Sequence, residues 1–178
     1  GAGGDPLKEL ESMYKVEAIV EELKQLQASI EYEQKRGGKV EIPNYLFVGN
    51  PGTGKTRVAN IMASMLSKMG VLENKTKVTT AQEIQGQYVG QSTAKAREMI
   101  DDVQGGILLV DEAHNLSNSH FSIEAAKTLM TATLEDKHKG KTMLIFAGYK
   151  SKMNAMMQSV DPGMQRRFKG VIEFPDWR

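Results

Sequence analysis

The stretch GNPGTGKT, Gly49 to Thr56, does most to restrict what this chain can fold into. It matches the pattern G-x-x-x-x-G-K-[ST]. It stands between NYLFV, a short β-favouring run, and RVANIMASMLSKMG, whose apolar residues recur at helical spacing. A strand must end there, backbone N–H groups must converge in a tight turn, and a helix must start at once. The spacing predicts a phosphate cradle lined by Asn50, Pro51, Gly52, Thr53, Gly54, Lys55, Thr56 and Arg57. Lys55 would reach the outer phosphates, and the Thr56 hydroxyl would face Mg²⁺. An ordinary glycine-rich turn would need neither the strand before it nor the helix after it.

Downstream, GGILLVDEAH leads four apolar residues, Ile107 to Val110, into two carboxylates, Asp111 and Glu112, at a predicted strand's C-terminal end. Asp111 is the candidate metal ligand, and Glu112 the candidate base that polarises an attacking water. A buried strand running into a solvated acidic turn would look the same in isolation. Together with the phosphate loop, the pair specifies a P-loop nucleoside triphosphatase that uses Mg²⁺. The letters DEAH, Asp111 to His114, also occur in nucleic-acid helicases. Such enzymes need a second motor domain and a basic stripe; 178 residues leave no room for the one, and the other is absent from the sequence.

The remaining sequence repeats the alternation of strand and helix. TKVTT (76–80), GILLVDE (106–112), MLIFAGY (143–149) and VIEF (171–174) read as strands. STAKAREMIDDV (92–103, with Ser92 as N-cap) and SIEAAKTLMTATLEDK (122–137) read as helices. Residues 6–36 carry Leu7, Leu10, Val16, Ile19, Val20, Leu23, Leu26 and Ile30 among many charges, which predicts one or two amphipathic helices. The expected fold is α/β, a mainly parallel five-stranded sheet sandwiched between helices. Residues 1–4 read as a tag remnant, 5–38 as an N-terminal helical segment and 39–178 as the α/β unit. Most of the eleven methionines, among them Met62, Met65, Met69, Met99 and Met130, fall on helical faces where they fill core gaps.

Composition narrows the partners. With 23 basic and 22 acidic residues the net charge is +1, so no global field argues for nucleic acid or an anionic membrane. No apolar stretch approaches the roughly 20 residues that span a bilayer, and no signal peptide is visible, so a soluble intracellular protein is expected. The absence of cysteine removes disulfides and thiolate metal sites.

Two stretches stay open on residues alone. In VDPGMQRRF, Arg166 and Arg167 are either a solvated surface pair or arginines offered to a phosphate. In GQYVGQ, Tyr88, Val89 and Gly90 are either a turn that packs its tyrosine or an exposed grip.

The order of GNPGTGKT, QYVGQSTAK, GGILLVDEAH, IEAAKTLM, LIFAGYK, DPGMQRRF and IEFPD resembles the AAA+ ATPases of the CbbX/CfxQ type, from about residue 13 onward. These are relatives of the sporulation protein SpoVK and of red-type Rubisco activases. The resemblance implies a ring, usually a hexamer of like or mixed subunits, that hydrolyses ATP at subunit interfaces and pulls a protein substrate through its pore. By position it implies Arg167, with Arg166 beside it, as the interface arginine, and Tyr88, Val89 and Gly90 as the pore loop. Tyr149 falls at the sensor position, where many AAA+ proteins have Asn or Thr. Tyr14 and Val16 would frame adenine, although Lys15 stands where the family usually has glycine. A small helical lid normally follows the last strand, so the expectation is the large subdomain without its lid.

Two rival readings share the motifs. A nucleotide-gated scaffold with low turnover would keep the loop but not need Glu112 and Arg167. A nucleic-acid motor built on the same core would be expected to carry a basic field that this sequence lacks.

Overall fold

The computed structural model describes residues 6–7, 16–85 and 91–176. Helix α1 (Glu17–Lys35) buries Ile19, Val20, Leu23, Leu26 and Ile30 on one stripe. Glu17 in its first turn and Lys35 in its last complement the helix dipole. Strand β1 (Asn44–Val48) leads through the glycine loop into α2 (Lys55–Lys68). Then come β2 (Thr76–Thr80), the one-turn α3 (Ala81–Ile84), α4 (Gln91–Asp102) and β3 (Ile107–Asp111). A 3₁₀ segment (Ala113–Ser117) precedes α5 (His120–Ala132), β4 (Met143–Gly148) and α6 (Lys150–Val160). A second 3₁₀ segment (Met164–Arg167) ends in β5 (Phe168–Glu173).

The five strands form one parallel sheet in the order β2-β3-β4-β1-β5. β1, β3 and β4 lie in its middle, and their side chains alternate between two cores. Tyr45, Phe47, Ile107, Leu109, Met143, Ile145 and Ala147 pack on one face against α1 and α2. Leu46, Val48, Leu108, Val110, Leu144 and Phe146 pack on the other against α3 to α6. Strands buried on both sides explain why these segments read as continuous apolar runs rather than alternating ones. Each large apolar side chain so enclosed contributes about 1.5–3 kcal/mol relative to exposure. Among the described residues no helix is long and apolar enough to cross a membrane.

The expected sheet and both helical layers are present, with differences in detail. Ser92 does not precede its helix; it is buried inside the first turn of α4, which starts at Gln91. The helix expected over 122–137 is α5, which ends at Ala132 and gives way to turns through Lys141. There His138, wholly buried, fixes the chain. Its Nδ1 lies 2.8 Å from Thr142 Oγ1, and its Nε2 lies 2.8 Å from Asp101 Oδ1. Because the Asp101 carboxylate can only accept, Nε2 donates to it, and the Nδ1 of that tautomer accepts from the Thr142 hydroxyl, whose oxygen accepts from the Gly105 N–H. One tautomer thus ties the end of α4 to the start of β4.

Candidate nucleotide site

The sheet is parallel, so β1, β4 and β3, side by side, all finish at one edge. The glycine loop leaves from β1, Tyr149 from β4, and Asp111 with Glu112 from β3. Open α/β sheets bind ligands in the crevice outside these carboxyl ends.

The loop needs its glycines. Gly52 (φ 74°) and Gly54 (φ 94°) are left-handed, and Gly54 is the residue from which α2 springs. Thr53 Oγ1 donates to Asn50 O at 2.7 Å and closes the turn. Lys55, only 8% exposed, donates to Gly49 O at 2.6 Å and to Asn50 O at 3.3 Å, so its ammonium lies inside the loop. Burial pulls the Lys55 pKa below the ordinary lysine value, against the opposing pull of the Asp111 carboxylate. Because β1 and β3 end at the same edge of the parallel sheet, the two sequence motifs face one crevice. Pro51, Thr56 and Arg57 are exposed on the loop and the first turn of α2. Asn50 Nδ2 donates to Asp176 Oδ1 at 2.9 Å, so the segment after β5 returns to the loop. Asp176 is the last residue of the IEFPD stretch, to which the sequence reading assigns no role.

Asp111 is half-buried and Glu112 exposed. Glu112 is the one non-glycine residue with positive φ (52°) among the described residues. A side chain held in the left-handed region costs about 1 kcal/mol or more, a strain that clusters at functional sites. The Glu112 N–H donates to Asp111 Oδ1 at 2.8 Å, which orients one carboxylate while the turn swings the other into the open. Oxygen donors such as Thr56 and Asp111 suit Mg²⁺, which takes one or two protein ligands and completes its shell with phosphate and water. Among the described residues there is no cluster of three or more His, Cys, Asp or Glu side chains that could hold a metal ion.

Tyr149, half-buried, precedes α6, and its ring meets that of His114 at 5.1 Å between centroids. The Lys152 ammonium lies 5.2 Å from the Tyr149 ring centre. Burial and the Lys152 charge hold the His114 pKa below its ordinary value, against Glu112 and Asp111, which draw it up. His114 enters the sequence reading only through the helicase-like letters DEAH, yet it belongs to this cluster.

Val16 is buried in the core of the α1 and α2 face. Tyr14, Tyr88, Val89 and Gly90 lie outside the described residues.

Arg166 and Arg167 do not join the site. Both are exposed in the 3₁₀ segment ahead of β5, whose Phe168 pairs with Asn44 at the start of β1. The glycine loop begins after Val48, four residues and about 13 Å further along the sheet at the rise of a strand. The arginines line a separate groove of about 270 Å³ with Lys39, Lys139, Lys169 and the half-exposed Leu134.

A parallel sheet, a phosphate-type loop and a strand ending in paired acids define a nucleotide-binding α/β domain. The ATPase family associated with various cellular activities (AAA) matches residues 45–176, and the chain belongs to that family. It is 35% identical over 179 residues to stage V sporulation protein K of Bacillus subtilis, covering 96% of this chain and 55% of that protein. It is 31% identical over 177 residues to the CfxQ homologue of Cyanidium caldarium, covering 96% and 61%. The chloroplastic ribulose bisphosphate carboxylase/oxygenase activase of Cyanidioschyzon merolae is likewise 31% identical over 177 residues, covering 96% and 59%. The chain thus spans a little over half the length of these relatives.

Proposed function

We propose that the chain is the ATP-hydrolysing core of a ring-forming machine that remodels a protein substrate. The observation that carries the reading is that the loop bearing Lys55 and the strand end bearing Asp111 and Glu112 lie at one edge of the parallel sheet. In this reading the backbone N–H groups between Asn50 and Thr56, other than Pro51, which has none, hold the phosphates with Arg57 following, and Lys55 neutralises the outer ones. Thr56 and Asp111 hold Mg²⁺, which supplies charge neutralisation at the phosphates. Glu112 accepts a proton from the attacking water, and Tyr149 orients that water. Val16 and Tyr14 flank the base.

Arg167, with Arg166, completes the site of a neighbouring copy. The separation from its own glycine loop, longer than an arginine side chain, supports action in trans. Tyr88, Val89 and Gly90 grip the substrate, an extended polypeptide, because an aromatic offers contact area without demanding a particular side chain. The activase among the relatives is named for a protein client, which favours a protein over a nucleic acid; so does a net charge of +1.

The test uses the full-length protein. Glu112→Gln should bind ATP normally and lose turnover by about a hundredfold or more. Tyr88→Ala should keep ATP turnover and lose remodelling. Equal turnover of wild type and Glu112→Gln would replace this reading with that of a nucleotide-gated scaffold.

A further inference from the structure

Three consecutive residues at the start of the glycine loop meet the segment that leaves β5. The Phe174 N–H donates to Val48 O at 2.8 Å. A Cβ added at Gly49 would stand 2.7 Å from Phe174 O and 2.8 Å from Phe174 Cβ, so glycine is what lets the segment lie this close. Asn50 Nδ2 donates to Asp176 Oδ1 at 2.9 Å. The carboxylate can only accept, which fixes the end of the Asn50 amide that faces it. Two residues deliver Asp176 to that place. The Phe174 ring is buried 5.1 Å from that of Phe47, and Pro175 locks its own φ and disfavours helical backbone at Phe174.

The contacts within the loop converge on the same residue. The Asn50 carbonyl accepts from Thr53 Oγ1 at 2.7 Å and from Lys55 Nζ at 3.3 Å, and the adjoining Gly49 carbonyl accepts from Lys55 Nζ at 2.6 Å. Whatever fixes Asn50 therefore fixes the turn and the lysine together. With Gly52 and Gly54 in the left-handed region, the loop has backbone freedom to lose when it closes on an anion. A hold at Asn50 removes part of that freedom beforehand and so favours binding. Charge acts the other way, because a carboxylate beside a phosphate cradle repels the ligand. The two effects have opposite signs, so the direction of one affinity change separates them.

We propose that Asp176 is a positioning residue for nucleotide binding: through the Asn50 amide it holds the Asn50 carbonyl where Thr53 and Lys55 need it, and so pre-forms the phosphate loop. The inference rests on the reading of this strand edge as a nucleotide site. It gives a role to the end of the IEFPD stretch and makes the exit of β5 part of the site, without Asp176 itself touching phosphate.

The dissociation constant for ADP with Mg²⁺, the KM and kcat for ATP, and thermal melting are measured on full-length wild type, Asp176→Ala, Asp176→Asn, Asn50→Ala and the double alanine variant. Asp176→Ala should weaken ADP binding and raise KM about threefold to tenfold, the scale of one hydrogen bond, with kcat kept. Melting should not change, since Asp176 is exposed beyond the last strand. Asp176→Asn keeps an acceptor oxygen and should recover most of the lost affinity. The double variant should bind no more weakly than Asn50→Ala, because both changes remove the same bond. Unchanged or tighter binding by Asp176→Ala overturns the proposal, tighter binding being what a carboxylate acting by charge alone would give. An equal loss in Asp176→Ala and Asp176→Asn overturns it too, as do losses that add in the double variant. Affinity for ADP is read without turnover, so failure of the nucleotide reading itself would look different: wild type would then bind no ADP.

Discussion

Arg167 and Lys55 belong to one chain but cannot serve one nucleotide, and a mixing experiment turns that geometry into a number. Arg167→Ala should lose about a thousandfold in turnover, the scale of a missing arginine in nucleotide hydrolysis. Lys55→Ala should be comparably inactive through lost phosphate binding. In a head-to-tail ring each site takes its loop from one copy and its arginine from the next. With the two inactive proteins mixed in equal amounts, a site has an even chance of an intact Lys55 and an even chance of an intact neighbouring Arg167. Independent sites should therefore recover about one quarter of wild-type turnover. The assay is steady-state phosphate release from the full-length proteins, with ring assembly of the mixture checked by sedimentation. A mixture no faster than its parents, in rings shown to contain both, would refute the trans assignment. The distance between Phe168↔Asn44 and the loop after Val48 would then need another explanation.

Three further outcomes follow from local chemistry. Glu112→Asn, which tolerates the left-handed backbone, should raise stability by up to about 1 kcal/mol while abolishing turnover, read as a melting temperature higher by roughly 2–4 °C. His138→Ala strips the Thr142 hydroxyl of its acceptor and opens a cavity at a wholly buried position, and urea unfolding should show a loss of about 2–4 kcal/mol. Burial raises the Asp101 pKa, but hydrogen bonds from His138 and Lys137 outweigh it and hold the group below the ordinary carboxylate value. Its stabilising contribution is therefore complete above the unfolded value of 3.8 and is lost as pH falls through the depressed folded value. The stability gap between wild type and Asp101→Asn should close over that acid range; a gap that widens there would contradict the sign.

The phosphate loop was legible because its pattern encodes a backbone requirement: Gly52 and Gly54 are written where the chain needs positive φ. The central strands were legible because burial on both faces leaves no polar residue to interrupt them. α6 was not among the predicted elements, although Met153, Met156, Met157 and Val160 recur at i, i+3, i+4 and i+7. Apart from Ala155 the remaining positions there are polar and dilute the signal. β5 begins three residues before the predicted VIEF, because as an edge strand it buries alternate residues; Lys169 and Val171 face outward, and Val171 is 51% exposed. His114 shows the limit most clearly. Its neighbours are Gly148 and Tyr149, more than thirty positions away, and nothing local distinguishes it from a surface histidine.

Strand polarity links these findings to the proposed mechanism. In a sheet whose strands all run the same way, residues that follow strands collect at one edge and residues that precede them collect at the other. Lys55, Glu112 and Tyr149 follow strands and Asp111 ends one; Arg166 and Arg167 precede one. No rotamer change can bring the second group to the first, because the separation is set by strand length rather than by side-chain conformation. If both groups act on the same phosphate, the edge bearing the arginines must meet the opposite edge of another copy. That contact is heterologous, and a heterologous contact gives a ring where its rotation closes and an open filament where it does not.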